Sequence, residues 1–218
     1  MVYTRGFPRA LEALAGALNA DSGTTLEELL AGEPPANVVE ALVGQAYARL
    51  DATAQKVMQA LAVFGRPVPP AAVDYLLQPY LPALDATPVL GRLVNMRFVT
   101  RERGRFFLHQ VDRAYALQRL PAETDGDREA VQQNRQSRTM GRLLQAIGSK
   151  TPDRAPMPPY TLAALQDRAA DYYRETRLPR TAWKTLADLD PQLAEIELRY
   201  AAEDFDSAAQ VLDEIDGD

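Results

Sequence analysis

A single β-hairpin pattern in an otherwise helical sequence limits the folds open to this chain. Two apolar runs, residues 98–100 and 106–108, are separated by a polar turn that contains Gly104, which is the pattern of two antiparallel strands. Three segments with apolar residues at helical spacing precede it, and they span residues 52–64, 71–77 and 87–96. Helix–helix–helix–hairpin is the order of a winged helix. We therefore predict a mainly α fold that includes a winged-helix domain with one small β-hairpin.

The helix predicted at residues 52–64 has signals at both ends. Asp51 is a residue type that caps helix N-termini, and Gly65 is the type that ends helices in the left-handed conformation. The face expected to be buried carries Ala54, Val57, Met58, Leu61 and Phe64. We interpret Met58 as a filler of the core rather than as a ligand.

Prolines divide the rest of the chain. Four of them fall within residues 151–159, which predicts a linker. We expect four regions: a small helical domain at residues 1–36, the winged-helix domain at 37–121, a helix and the proline-rich linker at 122–160, and helical hairpins at 161–218.

The C-terminal region is predicted to hold four helices, at residues 162–176, 181–187, 190–200 and 207–215. Residues 199–215 resemble the second half of a tetratricopeptide repeat, so we expect TPR-like hairpins. Six residues of this segment fall at the packing positions of such a repeat: Tyr200, Phe205, Ala208, Ala209, Val211 and Leu212. We interpret the many carboxylates of residues 188–218 as solvated surface. We interpret the basic residues of the helix at 128–150 in the same way.

Composition excludes several kinds of site. The chain has no cysteine and one histidine, so a thiolate site or a multi-histidine zinc site cannot form. Neither a Gly-x-x-x-x-Gly-Lys-Ser/Thr phosphate loop nor a Gly-x-Gly-x-x-Gly motif occurs, so we do not expect an enzyme in this chain by itself. The net charge of −6 argues against a generally basic nucleic-acid binder. Because no apolar run approaches a membrane span and no secretory signal is evident, we expect a cytoplasmic protein.

The only histidine, His109, follows the second predicted strand directly. With its neighbours it forms the pattern Leu-His-x-x-x-Arg-x-Tyr-Ala, which comprises Leu108, His109, Arg113, Tyr115 and Ala116. This pattern resembles the "MHD" motif that closes the winged-helix domain of NB-ARC and related STAND signalling ATPases. The aspartate of that motif is missing, and Gln110 stands in its place.

Two other segments resemble the same family, in the family's order. The sequence GFPRAL, residues 6–11, is similar to the "GLPLA" motif that opens the family's small helical domain. Residues 50–67 are similar to the start of its winged-helix domain. The residues that match there are Leu50, Asp51, Ala54, Gln55, Leu61, Ala62, Val63, Phe64 and Pro67.

This resemblance implies a nucleotide switch. Pro8 would pack against the adenine ring, and His109 would donate a hydrogen bond to the β-phosphate of ADP and hold a closed resting state. The ADP or ATP would bind only together with an upstream phosphate-loop domain, in the same chain or another. The helical repeats would bind a protein partner, and exchange of ADP for ATP would allow self-oligomerisation.

Alternatives remain at each of these positions. Pro8 and His109 are also suited to the starts of ordinary helices. The whole chain could be a stand-alone scaffold whose repeats bind a protein. A DNA-binding winged helix is the least favoured alternative: the wing is basic through Arg97, Arg101, Arg103 and Arg105, but the third helix offers only Arg92 and Asn95 for base contacts.

Overall fold

The computed structural model describes residues 38–146 and 157–217, and this part of the chain is mainly helical with one two-stranded antiparallel sheet. The predicted fold class is therefore confirmed. The chain divides into two compact units. The first holds the described residues up to Leu77 together with Ala83–Arg119, and the second holds Gln78–Pro82 and the described residues from Leu120 onward. Pro8 and the predicted helical domain at 1–36 lie outside the described residues.

The first unit contains five helices and the hairpin among its described residues. Their order is α1 (Val38–Ala48), α2 (Ala52–Phe64), α3 (Pro70–Leu77), α4 (Ala86–Asn95), β1 (Val99–Glu102), β2 (Arg105–Leu108) and α5 (Gln110–Gln118). Both predicted caps of α2 are confirmed. The Asp51 carboxylate accepts the Ala54 N–H at 2.8 Å, and Gly65 is left-handed with φ of 65°.

The hairpin aligns Val99 with Leu108 and closes with a two-residue turn. Arg103 and Gly104 form that turn with φ of 48° and 78°, which is the type I′ geometry that matches the twist of antiparallel strands. A third extended segment pairs with the hairpin, because Val68 forms an antiparallel bridge with Phe106. Helix, extended segment, two helices and hairpin follow one another in the first unit, which is the order of elements predicted for a winged helix.

The core of the first unit is apolar. Its largest fully buried side chains come from α2, α3 and α4: Met58, Leu61, Leu76, Leu77, Leu90 and Leu93. The interpretation of Met58 as core is confirmed. Helices α2 and α4 pack on the hairpin and α3 packs on both of them, which buries the inner face of each helix as the helical spacing of these residues predicts.

The second unit is helical throughout its described residues. Its helices are α6 (Asp125–Ala146), α7 (Leu162–Thr176), α8 (Asp190–Ala201) and α9 (Phe205–Asp216). The helix predicted from 128 begins three residues earlier, since Thr124 and Asp127 cap it reciprocally: the Asp127 carboxylate accepts the Thr124 N–H at 2.9 Å, and the Thr124 hydroxyl accepts the Asp127 N–H at 3.2 Å.

The helix predicted at 181–187 is wrong. Two short 3-10 turns, Arg180–Ala182 and Leu186–Leu189, take its place. The Asp188 carboxylate accepts the N–H groups of Lys184 and Thr185 at 2.9 and 2.8 Å. These bonds start a new turn at Thr185 and prevent one continuous helix.

None of the helices in the described ranges combines the length and the apolar character needed to cross a membrane.

Candidate functional site

His109 lies at the exit of the hairpin, where it caps the N-terminus of α5. Its backbone is extended (φ −63°, ψ 150°), and its Nδ1 accepts the N–H of Val111 at 3.4 Å. A nitrogen that accepts a hydrogen bond carries no proton, so this geometry assigns the neutral imidazole its proton on Nε2. The side chain is exposed. His109 therefore has a structural role as a cap and also presents an N–H donor to solvent.

The hairpin holds this histidine on a rigid element. Phe106 exchanges both backbone hydrogen bonds with Val68, at 3.0 and 2.8 Å. Leu108, the residue before His109, is buried. The position of His109 is thus fixed on one side by a paired strand and on the other by the first turn of α5, where the Arg113 N–H donates to the His109 carbonyl at 2.9 Å. A donor held by such a scaffold loses little freedom when it binds.

Arg113, the motif arginine, is partly engaged within the fold. Its Nε donates to the carbonyl of Ala62 at 2.8 Å, at the C-terminal end of α2. A Cβ at Gly65 would lie 2.7 Å from Arg113 Nη2, so the glycine makes room for this guanidinium as well as adopting a left-handed φ. Arg113 thus joins α5 to α2 and supplies the carbonyl cap at the end of that helix.

Tyr115 and Ala116, the last letters of the motif, are buried. The Tyr115 ring packs edge to face on Tyr47, with centroids 5.4 Å apart, and its hydroxyl accepts a hydrogen bond from Arg119 Nη2 at 2.6 Å. Burial, followed by the neighbouring Tyr115, raises the pKa of Tyr47 to about 12. These residues join α1 to α5 and belong to the core. Within this pattern, Tyr115 and Ala116 are core residues and Arg113 joins two helices, whereas the His109 side chain is exposed beside the cap that it forms.

The basic hairpin is exposed, but the helix that would read bases is poorly equipped for it. The Arg101 guanidinium lies over the Phe106 ring at 5.6 Å, and Arg105 donates to the Pro67 carbonyl at 3.4 Å. On α4, Arg92 forms an ion pair with Asp51. This pair engages one of the two side chains of α4 that could contact bases.

Sequence reasoning missed a buried ionic cluster in the second unit. Its centre is Arg199 of α8, whose side chain is 3% exposed. Nη2 of Arg199 lies 2.6 Å from Asp171 Oδ1, and its Nη1 lies 3.7 Å from Asp167 Oδ1 and 3.5 Å from Asp204 Oδ2. Burial acts to lower the pKa of Arg199, but Asp171, Asp167 and Glu195 together raise it above its ordinary value. The guanidinium is therefore charged, and it connects α8 to α7 and to the start of α9.

Glu195 is a second member of this cluster, four residues before Arg199. Its carboxylate is fully buried and lies 3.1 Å from Arg177 Nη1 and 3.8 Å from Arg174 Nε. Burial raises the pKa of Glu195, and the surrounding arginines oppose that rise. The interpretation of the C-terminal carboxylates as solvated surface is wrong for Glu195.

The interpretation of the basic residues at 128–150 as solvated surface is wrong for Arg135. Asp167 and Asp171 are buried on α7, and Arg135 of α6 donates to Asp167 at 2.6 Å and to the Ala202 carbonyl at 2.7 Å. Arg135 is therefore not part of a solvated basic face. One sequence signal could have revealed the cluster: the charged residues on α7 and α8 recur at a spacing of four, on the face that also carries alanines.

The cluster is a structural one. Among the described residues, no three carboxylate or imidazole groups are placed to hold a metal ion. Within the cluster, Asp167, Asp171 and Glu195 each lie beside at least one arginine. No protein-family model, curated protein or solved structure matches this chain.

Proposed function

We propose that this chain is the regulatory and sensor portion of a nucleotide-switch signalling protein of the STAND type. In this proposal His109 donates a hydrogen bond from Nε2 to a phosphate of bound ADP, and Pro8 contacts the adenine. The observation that carries the proposal is the place of the imidazole: Nδ1 accepts the Val111 N–H at the start of α5, and the side chain is exposed at the exit of the paired hairpin.

The physical chemistry of this position suits an anion. The N-terminus of a helix carries a partial positive charge, which favours a phosphate near the first turn of α5. A hydrogen bond from a neutral imidazole to a phosphate oxygen is charge-assisted and stronger than a neutral one. The arginines of the hairpin add positive potential on the same unit.

The nucleotide itself needs a phosphate loop, and this sequence has none. We propose that a nucleotide-binding domain, in the same polypeptide or in another chain, holds most of the nucleotide. The winged-helix unit would then close over it. Release of the His109 contact when ATP replaces ADP would free the unit to move and to self-associate.

Two substitutions at one position test the proposal. His109→Ala removes both the cap and the outward donor, whereas His109→Ser keeps a good capping oxygen and removes only the donor. Labelled ADP retention would be measured on the complex of this chain with the phosphate-loop domain. We expect both variants to lose affinity by about ten- to a hundredfold, the loss of one hydrogen bond to a charged group.

Stability separates the two roles of the histidine. We expect His109→Ala to lower the free energy of unfolding by about 1 kcal/mol and His109→Ser to leave it nearly unchanged. If His109→Ser retains ADP as well as the unmodified chain does, His109 is a helix cap only and the nucleotide proposal is wrong.

A protein-binding role for the second unit is a second candidate function. The observation that favours it is a set of large apolar side chains that remain exposed on its last two helices.

A further inference from the structure

The last two helices of the second unit each expose large apolar side chains. On α8, Leu193 is 47% and Tyr200 is 68% exposed, and on α9, Phe205 is 54% and Leu212 is 52% exposed. The prediction that Tyr200, Phe205 and Leu212 are packing positions is therefore wrong for the chain as described. We name these four residues the outer stripe. Monomeric proteins rarely leave such side chains together in solvent unless they bind something.

The four side chains lie on one side of the helix pair. The rings of Tyr200 and Phe205 are in edge-to-face contact, with centroids 5.3 Å apart. Leu193 is seven residues before Tyr200, and Leu212 is seven residues after Phe205. Seven residues are two turns, which returns to within about 20° of the same direction after about 10.5 Å. The outer stripe therefore extends from the ring pair along both helices.

These helices have a second apolar face, and that face is the buried one. Ala194 and Leu198 of α8 face the interior, as do Ala208 and Val211 of α9. The outer stripe is thus an additional surface, since the core of the unit is complete without it. Two neighbouring helices that both expose large apolar side chains suit the apolar face of one further helix.

The exposed charges that α8 and α9 themselves contribute are of one sign. Between Thr185 and the end of the sequence the only basic residue is Arg199, and Arg199 is buried in the ionic cluster. Beyond Leu193, the exposed charged residues of the two helices and the loop between them are all carboxylates: Glu197, Glu203, Asp206, Asp213, Glu214 and Asp216. One of them, Glu214, pairs with Arg177 at the end of the neighbouring helix. A partner that buries the stripe must bring positive charge to its rim.

We propose that the outer stripe binds an amphipathic helix of a partner protein, with aliphatic residues on one face and lysine or arginine along its edges. A second copy of this chain would place carboxylates against carboxylates. Nucleic acids and anionic membranes would be repelled for the same reason. This inference rests on the protein-binding role of the second unit and is independent of the nucleotide proposal.

A pair of peptides tests the chemistry of the partner. The first is a helix of about five turns with leucines at positions i, i+3, i+4 and i+7 and lysines on its edges. The second has glutamate in place of every lysine. Binding to the full chain, without nucleotide, is followed by the fluorescence anisotropy of the labelled peptide. We expect the lysine peptide to bind and the glutamate peptide not to bind.

Two matched variants locate the site. Leu212→Glu and Met157→Glu each replace an exposed apolar side chain by a carboxylate, since Met157 is also largely exposed. Both add one negative charge, so simple attraction of a cationic peptide to an acidic protein predicts no loss in either. We expect Leu212→Glu to weaken binding of the lysine peptide by about tenfold or more and Met157→Glu to leave it unchanged.

The outcomes separate the parts of the inference. If both peptides bind equally well and Leu212→Glu weakens that binding, the proposed positive charge of the partner is wrong. The outer stripe would then remain a protein-binding surface. Equal binding of the lysine peptide by both variants, or no binding of either peptide, would overturn the outer stripe as a binding surface. Trp183 fluorescence checks that each variant is folded, since the Trp183 indole donates to the Leu178 carbonyl inside the same unit.

Discussion

The cores of the two units are made from different chemistry. In the first unit the largest fully buried side chains are leucines, valines and Met58. In the second unit, the large side chains that are fully buried are Leu165, Gln192 and Glu195. Most of the other buried apolar residues of this unit are alanines. Small residues let the helices approach closely, and ion pairs between charged side chains connect one helix to the next.

The two kinds of core fix the positions of their helices in different ways. Apolar contacts are not directional, so a core of leucines tolerates exchanges that conserve volume. Ion pairs in a dry interior stabilise little in total, but each charge left alone is costly. The second unit is therefore held in register by the geometry around Arg199, whereas the first is held by the shape of its core.

The largest effect is expected at the centre of the ionic cluster. Arg199→Met keeps most of the volume but removes the guanidinium that lies 2.6 Å from the buried Asp171. It also removes one of the two arginines beside Asp167, which keeps Arg135. We expect a loss of about 3–5 kcal/mol in the free energy of unfolding. Urea unfolding followed by Trp183 fluorescence measures it in the second unit.

Arg199→Lys is the matched control for charge. One ammonium cannot replace a fork of two nitrogens that reaches Asp171 and Asp204 at once, so we expect only partial recovery. A loss below about 1 kcal/mol in Arg199→Met would show that the cluster is dispensable, and the contrast between the two cores would then fail.

The apolar core of the first unit should tolerate a conservative exchange, unlike the ionic cluster of the second unit. Leu61→Ala is expected to destabilise the first unit by about 2–5 kcal/mol, because it leaves a cavity. Leu61→Met should cost less than about 1.5 kcal/mol. Hydrogen exchange of the Phe106 amide, which is bonded to the Val68 carbonyl at 2.8 Å, reports the stability of this unit. If Leu61→Met costs as much as Leu61→Ala, the first core is as specific as the second.

The same contrast explains which features could be predicted from the sequence. For the first unit, apolar spacing and the caps Asp51 and Gly65 are sufficient to predict α2 to the residue, and two apolar runs around the polar turn at Gly104 predict the hairpin. Each of these signals is local. The role of His109 as a cap could also be anticipated, because the residue before a helix has few possible functions.

For the second unit, apolar spacing predicts the wrong buried face for α8 and α9. Tyr200, Phe205 and Leu212 are the largest apolar residues of their segment, and a rule that buries the largest apolar side chains places them inside. The interior is instead filled by alanines and by Glu195 with Arg199. Whether a carboxylate is buried depends on an arginine far along the chain, such as Arg135, and spacing within one helix does not contain that information.

Two helical glycines provide a finer test of packing in the first unit. A Cβ at Gly44 of α1 would lie 2.8 Å from the Tyr115 hydroxyl, whereas a Cβ at Gly91 of α4 meets nothing within 4 Å. We expect Gly44→Ala to destabilise the unit by about 1–3 kcal/mol through overpacking. Gly91→Ala should stabilise it by about 0.5–1 kcal/mol, because alanine favours the helix. Thermal unfolding of the two variants would show shifts of opposite sign, and two shifts of the same sign would disprove the close packing of α1 on α5.

The smallest expected effects concern pH, and they have opposite signs in the two units. The pKa of Asp51 lies below its ordinary value of 3.8, chiefly because the carboxylate accepts the Ala54 N–H and also because it faces Arg92. Its contribution to stability is therefore present above pH 3.8 and is lost as the pH falls through the lowered value. The pKa of Glu195 lies above its ordinary value of 4.5 because of burial. Its contribution is present below pH 4.5 and is lost as the pH rises through the raised value.

Neutral variants isolate these two contributions. Asp51→Asn retains a capping side chain and should differ from the unmodified chain by at most about 1 kcal/mol near neutral pH, a difference that disappears on acidification. With Glu195 present, the free energy of unfolding should fall as the pH rises above 4.5, and Glu195→Gln should abolish this fall. Urea unfolding at a series of pH values, followed by Phe106 amide exchange for the first unit and Trp183 fluorescence for the second, measures both. A pH dependence of the same sign at both positions would mean that the arginines around Glu195 outweigh its burial, and that the ionic core behaves like the exposed pair of Asp51 and Arg92.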